Sequence, residues 1–102
     1  MIKKVEHIGI AVSDLEASEL VFEKLLGEKS YKQETVASEG VTTSFFKIGD
    51  QKIELLAANT KDSPIKSFIE KRKQGVHHIA VSYTHLRAHE TLRYLVCRLL
   101  LE

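Results

Sequence analysis

A chain of 102 residues, 43% of them apolar, holds enough material for one compact domain and too little for two. Fifteen basic against fourteen acidic side chains leave no field of either sign to attract nucleic acid or an anionic membrane. No apolar run approaches the roughly 18 residues of a membrane-spanning helix, and none follows the N-terminal lysines as a secretory leader would require. With Cys97 the single cysteine, an intrachain disulfide is excluded, and the expectation is a soluble cytoplasmic protein of a reducing compartment.

In chain order, residues 5–12 (VEHIGIAV) alternate Ile8, Ile10 and Val12 with His7, Gly9 and Ala11, the period of a strand. Ser13 and Glu16 then form an S-x-x-E capping box, and Leu15, Phe22, Leu25 and Leu26 supply a helical stripe that ends at Gly27. Residues 30–37 are polar and weakly strand-like, whereas VTTSFFKIGDQKIELLA reads as a hairpin around a two-residue Gly49-Asp50 turn. The segment DSPIKSFIEKRKQG predicts a second helix. Ser63 is its cap and Pro64 its first residue, Ile65, Phe68 and Ile69 face inward, the basic residues 71–73 sit at its negative end, and Gly75 is its stop. Residues 76–82 resume strand character, with His77, Ile79 and Val81 on one face and Val76, His78 and Ala80 on the other.

His7-Ile8-Gly9-Ile10 and His78-Ile79-Ala80-Val81 are two versions of one strand, 71 residues apart, each opening a unit with a histidine opposite the large aliphatic residues. The stretches VEHIGIAVSDLEAS, EGVTTSFFKIGDQKIELLA and DSPIKSFIEKRKQGVHHIAV resemble the vicinal oxygen chelate (glyoxalase/bleomycin resistance/dioxygenase) superfamily. Within it they resemble the methylmalonyl-CoA epimerases, over residues 1 to about 81.

The resemblance implies an α+β fold in which βαβββ modules pair around a cleft that holds one divalent metal. Here that gives a βαβββ module over 1–60, forming a half-barrel sheet with its helix, then a connector helix and the first strand of an incomplete second module over 61–82. The implied ligands fall on His7, Glu54 and His78, with a fourth, a glutamate, late in the second module. Imidazole and carboxylate donors suit Co²⁺, the metal the resemblance favours, and also Mn²⁺ or Zn²⁺. Glu54, between Ile53 and Leu55 in a strand, needs a compensating partner if buried. His77, by strand alternation, turns away from His78 and reads as structural or as a support to the ligands. The implied activity is epimerisation of an acyl-CoA, methylmalonyl-CoA, by two opposed acid/base groups. The position two residues after Gly40-Val41 that carries such a group in some relatives falls on Thr43, a weak base and at most a substrate contact.

Residues 83–102 change vocabulary. Residues 1–82 use eleven lysines and one arginine, whereas the last twenty residues use three arginines, no lysine, six of the twelve leucines and the cysteine. This segment is expected to be a tail foreign to the family, helical through Leu92, Leu95, Val96 and Leu99. His85 and His89 share helical spacing but lack the glutamate of H-E-x-x-H, so they are not read as ligands. The chain is therefore expected to be truncated, inactive by itself, and prone to homodimerise through an uncovered apolar face. A glyoxalase-type lyase, a small-molecule-binding module without catalysis and an inert fragment are the alternatives.

Overall fold

The computed structural model describes residues 2–84 and 92–98, and the side chains of residues 2–82. The order of elements is β1 (Ile2–Ala11), α1 (Leu15–Leu26), β2 (Lys32–Val36), a 3₁₀ turn (Ala37–Glu39), β3 (Val41–Ile48), β4 (Gln51–Ala58), α2 (Pro64–Arg72), β5 (Gly75–Thr84) and β6 (Leu92–Arg98). The strands form one mixed sheet in the order β2-β3-β4-β1-β5-β6. Among the described residues only the β1–β4 pair is parallel, since α1, β2 and β3 intervene between them; the other neighbours are antiparallel. This is an α+β fold, and its βαβββ order over β1 to β4 is the one the sequence predicts.

Local chemistry explains the boundaries. At the start of α1, Asp14 takes an extended conformation and its Oδ1 accepts the Ala17 N–H at 3.1 Å. The cap is thus Asp14, one residue past the predicted Ser13, whose own N–H is taken by Gln74 Oε1 at 2.7 Å. The helix closes at Gly27, whose φ of 75° belongs to the left-handed region that lets its N–H return to Glu23 O. The turn after β3 is the two-residue Gly49-Asp50 predicted, with Ile48 paired to Gln51. Ser63 caps α2 and Pro64 is its first residue, as expected, but the helix ends at Arg72 rather than running to Gly75. Lys73 breaks it by adopting a φ of 67°.

Each helix covers a different face of the sheet. On one face, Val12, Phe46, Leu55 and Ala57 form a buried cluster, against which Leu15, Phe22 and Leu26 of α1 pack together with Ile10 and Ile53. Leu25, predicted to lie in that stripe, is 71% exposed. On the other face Ala11, Val41, Leu56 and Ile65 form a second cluster, joined by Phe68 and Ile69, so that α2 shields one end of that face. The rest of it carries the candidate site.

The expected helical tail is corrected over residues 92–98, which form strand β6, antiparallel to β5 from His78↔Arg98 to Thr84↔Leu92. The free edge of β5 offers a row of backbone donors and acceptors, and pairing with it satisfies those groups better than an isolated helix of seven residues could. Leu99 and the His85/His89 pair lie outside the described residues.

Candidate metal centre

The strand registers bring the predicted residues into one place. Phe45 pairs with Glu54, Glu54 with Gly9, and Gly9 with His78, so one row crosses β3, β4, β1 and β5. Paired residues on neighbouring strands share a face, and His7, two positions before Gly9, lies on that face too. His7 Nε2 is 3.1 Å from His78 Nε2, and His78 Nε2 is 3.9 Å from Glu54 Oε1. The three donor atoms all lie within 4.8 Å of one another, and the side chains are partly buried. Two ligands across a single ion, each bonded at about 2.0–2.2 Å, can stand at most about 4.4 Å apart. The His7–His78 and His78–Glu54 gaps fall inside that span.

Gly9 makes the convergence possible. A Cβ placed there would collide with the His78 imidazole, reaching Cε1 and approaching Nδ1 to 2.5 Å and Nε2 to 2.7 Å. The bare backbone of β1 is therefore the floor on which that ring lies, between His7 and Glu54. The sequence carried the signal, since a glycine inside an alternating strand marks a close approach by another group; it was read there only as a position of the pattern.

The electrostatics of Glu54 reflect its burial. Burial pushes the Glu54 carboxyl above the ordinary carboxylate range; His7 pulls it back in part, and Glu34 adds a smaller push upward. A partly buried carboxylate with two imidazoles, their donor atoms within 4.8 Å of one another, is a set whose desolvation a divalent cation would offset.

Next to Glu54 and His78 opens a pocket of about 380 Å³, walled by Val41, Thr43, Phe45, Leu56 and Ile65. Thr43 lies in this wall, with its hydroxyl donating to the Glu34 carbonyl at 3.3 Å. Two carboxylates that the sequence reading did not single out, Glu34 and Glu39, also line it. Their signal was weak, because β2 and the 3₁₀ turn after it read as polar surface.

His77 needs correction. Alternation places it on the face opposite His78, yet His77 Nδ1 lies 2.9 Å from His78 Nδ1 and both rings line the pocket. The cause is a β-bulge: Gly9 pairs with His78 and Ile10 with Val76, leaving His77 as an extra residue on β5. A bulge breaks the two-residue period and re-aims a side chain.

Comparison with known proteins agrees with this fold. The family model for the Glyoxalase/Bleomycin resistance protein/Dioxygenase superfamily matches residues 6–92. A Bacillus subtilis (strain 168) protein, the uncharacterized protein YqjC, is 43% identical over 77 residues, covering 76% of this chain and 55% of its own length. Human mitochondrial methylmalonyl-CoA epimerase is 34% identical over 86 residues, covering 83% of this chain and 49% of its own. Among solved structures, Streptomyces coelicolor methylmalonyl-CoA epimerase in complex with 2-nitronate-propionyl-CoA superimposes with a TM-score of 0.76 at 28% identity, over 84% of this chain and 64% of that one. The chain thus spans about half the length of these curated relatives. On the match across residues 6–92, the chain belongs to the glyoxalase/bleomycin resistance/dioxygenase superfamily, with methylmalonyl-CoA epimerases among its relatives.

Proposed function

We propose that this chain supplies the metal-holding wall of a methylmalonyl-CoA epimerase site, with His7, Glu54 and His78 as protein ligands. The observation that carries this reading is the convergence of two imidazoles and one carboxylate above Gly9, beside a pocket. The relatives support the substrate class, since the Streptomyces structure holds an acyl-CoA analogue. His7, Glu54 and His78 would hold a divalent cation there, Co²⁺ by family resemblance with Mn²⁺ or Zn²⁺ also suited to the donors, which would supply Lewis-acid stabilisation of negative charge developing on the substrate.

The chain's own residues do the rest. Three ligands on three different strands hold their donors in a fixed arrangement and leave room for substrate oxygens. Val41, Leu56 and Ile65 form an apolar wall that excludes water from the substrate's acyl portion. Inverting the α-carbon requires one group to take its proton and another, on the opposite face, to return one. Glu34 and Glu39 are the pocket carboxylates outside the ligand set, and one of them serves as proton acceptor on this wall; Glu34 also holds Lys32 at 2.8 Å, which leaves Glu39 the better placed. The opposed group and a fourth ligand belong to a facing wall, contributed by a second module or a second copy of the chain. Alone, the 102-residue chain binds the cation but does not turn over substrate.

The test is solvent deuterium exchange at the α-carbon of methylmalonyl-CoA with Co²⁺ present, together with a calorimetric Co²⁺ titration. Expected are one Co²⁺ per chain, lost in H7A and H78A, and exchange only when a facing module is supplied. Absence of stoichiometric uptake overturns the ligand assignment. Uptake without exchange in the completed protein leaves a ligand-binding module and overturns the epimerase assignment.

A further inference from the structure

We propose that His77 is the positioning residue for His78: its Nδ1 accepts the Nδ1–H of His78 and so fixes that ring in the tautomer whose Nε2 lone pair faces His7 and Glu54. The inference rests on the metal-holding reading above. Adjacent residues of a regular strand point to opposite faces and their rings do not meet. Here the extra residue in β5 breaks that rule, and the two imidazoles stand edge to face with centroids 5.2 Å apart and Nδ1 atoms 2.9 Å apart.

The two nitrogens of His78 face different neighbours. Nε2 looks toward His7 and Glu54, whereas Nδ1 looks toward His77. A neutral imidazole carries one proton, so a ring that gives its Nε2 lone pair to a cation must hold that proton on Nδ1. The Nδ1–H then needs an acceptor, and the partner of a ligand's second nitrogen is what orients the ring and raises its basicity. His77 Nδ1 is such an acceptor when its own proton resides on Nε2.

His77 is itself held firmly. It is 8% exposed and its ring meets Phe68 edge to face, with centroids 4.9 Å apart and planes at 79°. Phe68 belongs to α2, which the Ser63 cap and Pro64 launch across this face. One line of contacts therefore runs from the connector helix through Phe68 and His77 to the His78 ring. This gives the bulge a purpose: without the extra residue, the imidazole that braces His78 would lie on the other side of the sheet.

The experiment compares wild type, His77→Phe and His77→Asn, each as the full chain. Zn²⁺, chosen because it is diamagnetic, is titrated by calorimetry, and the imidazole tautomers of the zinc-loaded protein are read by long-range ¹H–¹⁵N correlation. Phenylalanine keeps a ring against Phe68 but offers no acceptor, and its expected effect is a loss of roughly 10–100-fold in Zn²⁺ affinity. Asparagine, whose Oδ1 can stand where Nδ1 was, should recover most of that loss. Zinc-loaded wild type should show His78 protonated at Nδ1 and His77 at Nε2. Unchanged affinity in H77F, an H77N protein as weak as H77F, or a zinc-loaded wild type without a proton on His78 Nδ1 each overturns the inference alone. Wild type that takes up no Zn²⁺ overturns the metal-holding reading and this inference with it. Should H77F fail to fold, the wild-type tautomers still decide.

Discussion

The two faces of the sheet solve opposite problems with the same strands. Under α1 the side chains are apolar and closed off: Phe46 is 1% exposed, and Val12, Leu55 and Ala57 surround it. The buried polar group on that side, Ser44, is fully provided for. Its hydroxyl is 2.6 Å from Glu19 Oε2 and 2.7 Å from Ser30 Oγ, while Gln33 Nε2 donates to the same Glu19 oxygen at 2.8 Å. On the opposite face, alternate residues of the same strands bring two imidazoles and a carboxylate together, partly buried, with their donor atoms within 4.8 Å of one another. One face therefore closes on itself, and the other keeps polar groups grouped beside an open pocket.

The largest expected effect comes from breaking the closed face. Phe46→Ala should cost about 3–5 kcal/mol, the range for emptying a buried aromatic site, and urea unfolding will show it as a lower midpoint with little change in slope. A loss under 1 kcal/mol would mean that α1 does not seal that face. Ser44→Ala leaves Glu19 with one donor fewer in a part-buried network, so about 1–3 kcal/mol should go, again by urea unfolding. Metal uptake should be untouched in that variant; coupling between the two would dissolve the contrast between the faces.

On the open face the order of effects reverses, with binding changing more than stability. Gly9→Ala introduces the Cβ that the His78 ring excludes. The fold should survive, since alanine is no worse than glycine in a strand interior, while Co²⁺ affinity should fall at least about tenfold, equivalent to about 1.4 kcal/mol. Retained affinity would show that the ring has another resting place. The smallest effect is pH-dependent. Because burial holds the Glu54 carboxyl above its usual range, the metal-free fold is favoured most at a pH below the ordinary carboxylate value and loses that contribution as pH rises through the raised one. Glu54→Gln removes the dependence. Thermal melts of the metal-free proteins should find E54Q more stable than wild type at neutral pH, with the gap closing under acid conditions; a gap that widens on acidification contradicts the burial account.

Features that depend on neighbours in sequence were legible before any coordinates. The Gly49-Asp50 turn, the Ser63-Pro64 start and the inward side of α2 follow from local rules about φ, capping and period. His7, Glu54 and His78 were singled out by family resemblance, and the structure brings their donor atoms together. What stayed hidden depends on partners distant in sequence. The bulge at His77 exists only relative to β1, so no periodicity within 75–84 could reveal it. Leu25 matched the helical stripe but is exposed, because Phe22 and Leu26, four residues apart on one side of α1, are the side chains that meet the Phe46 cluster. Residues 92–98 carried a helix-like spacing that a free strand edge overrode. Asp14 is the cap in place of Ser13, and the Ser13 N–H, which a capping box would give to Glu16, is taken by Gln74, 61 residues away.

Strand β2 carries a consequence for how copies of the molecule can meet. It has five residues, all exposed, and presents Lys32 and Glu34 as a close ion pair. A short, charged outer strand is a poor template for a neighbour's backbone. Growth of the sheet sideways at that margin, the route toward fibrils, is discouraged.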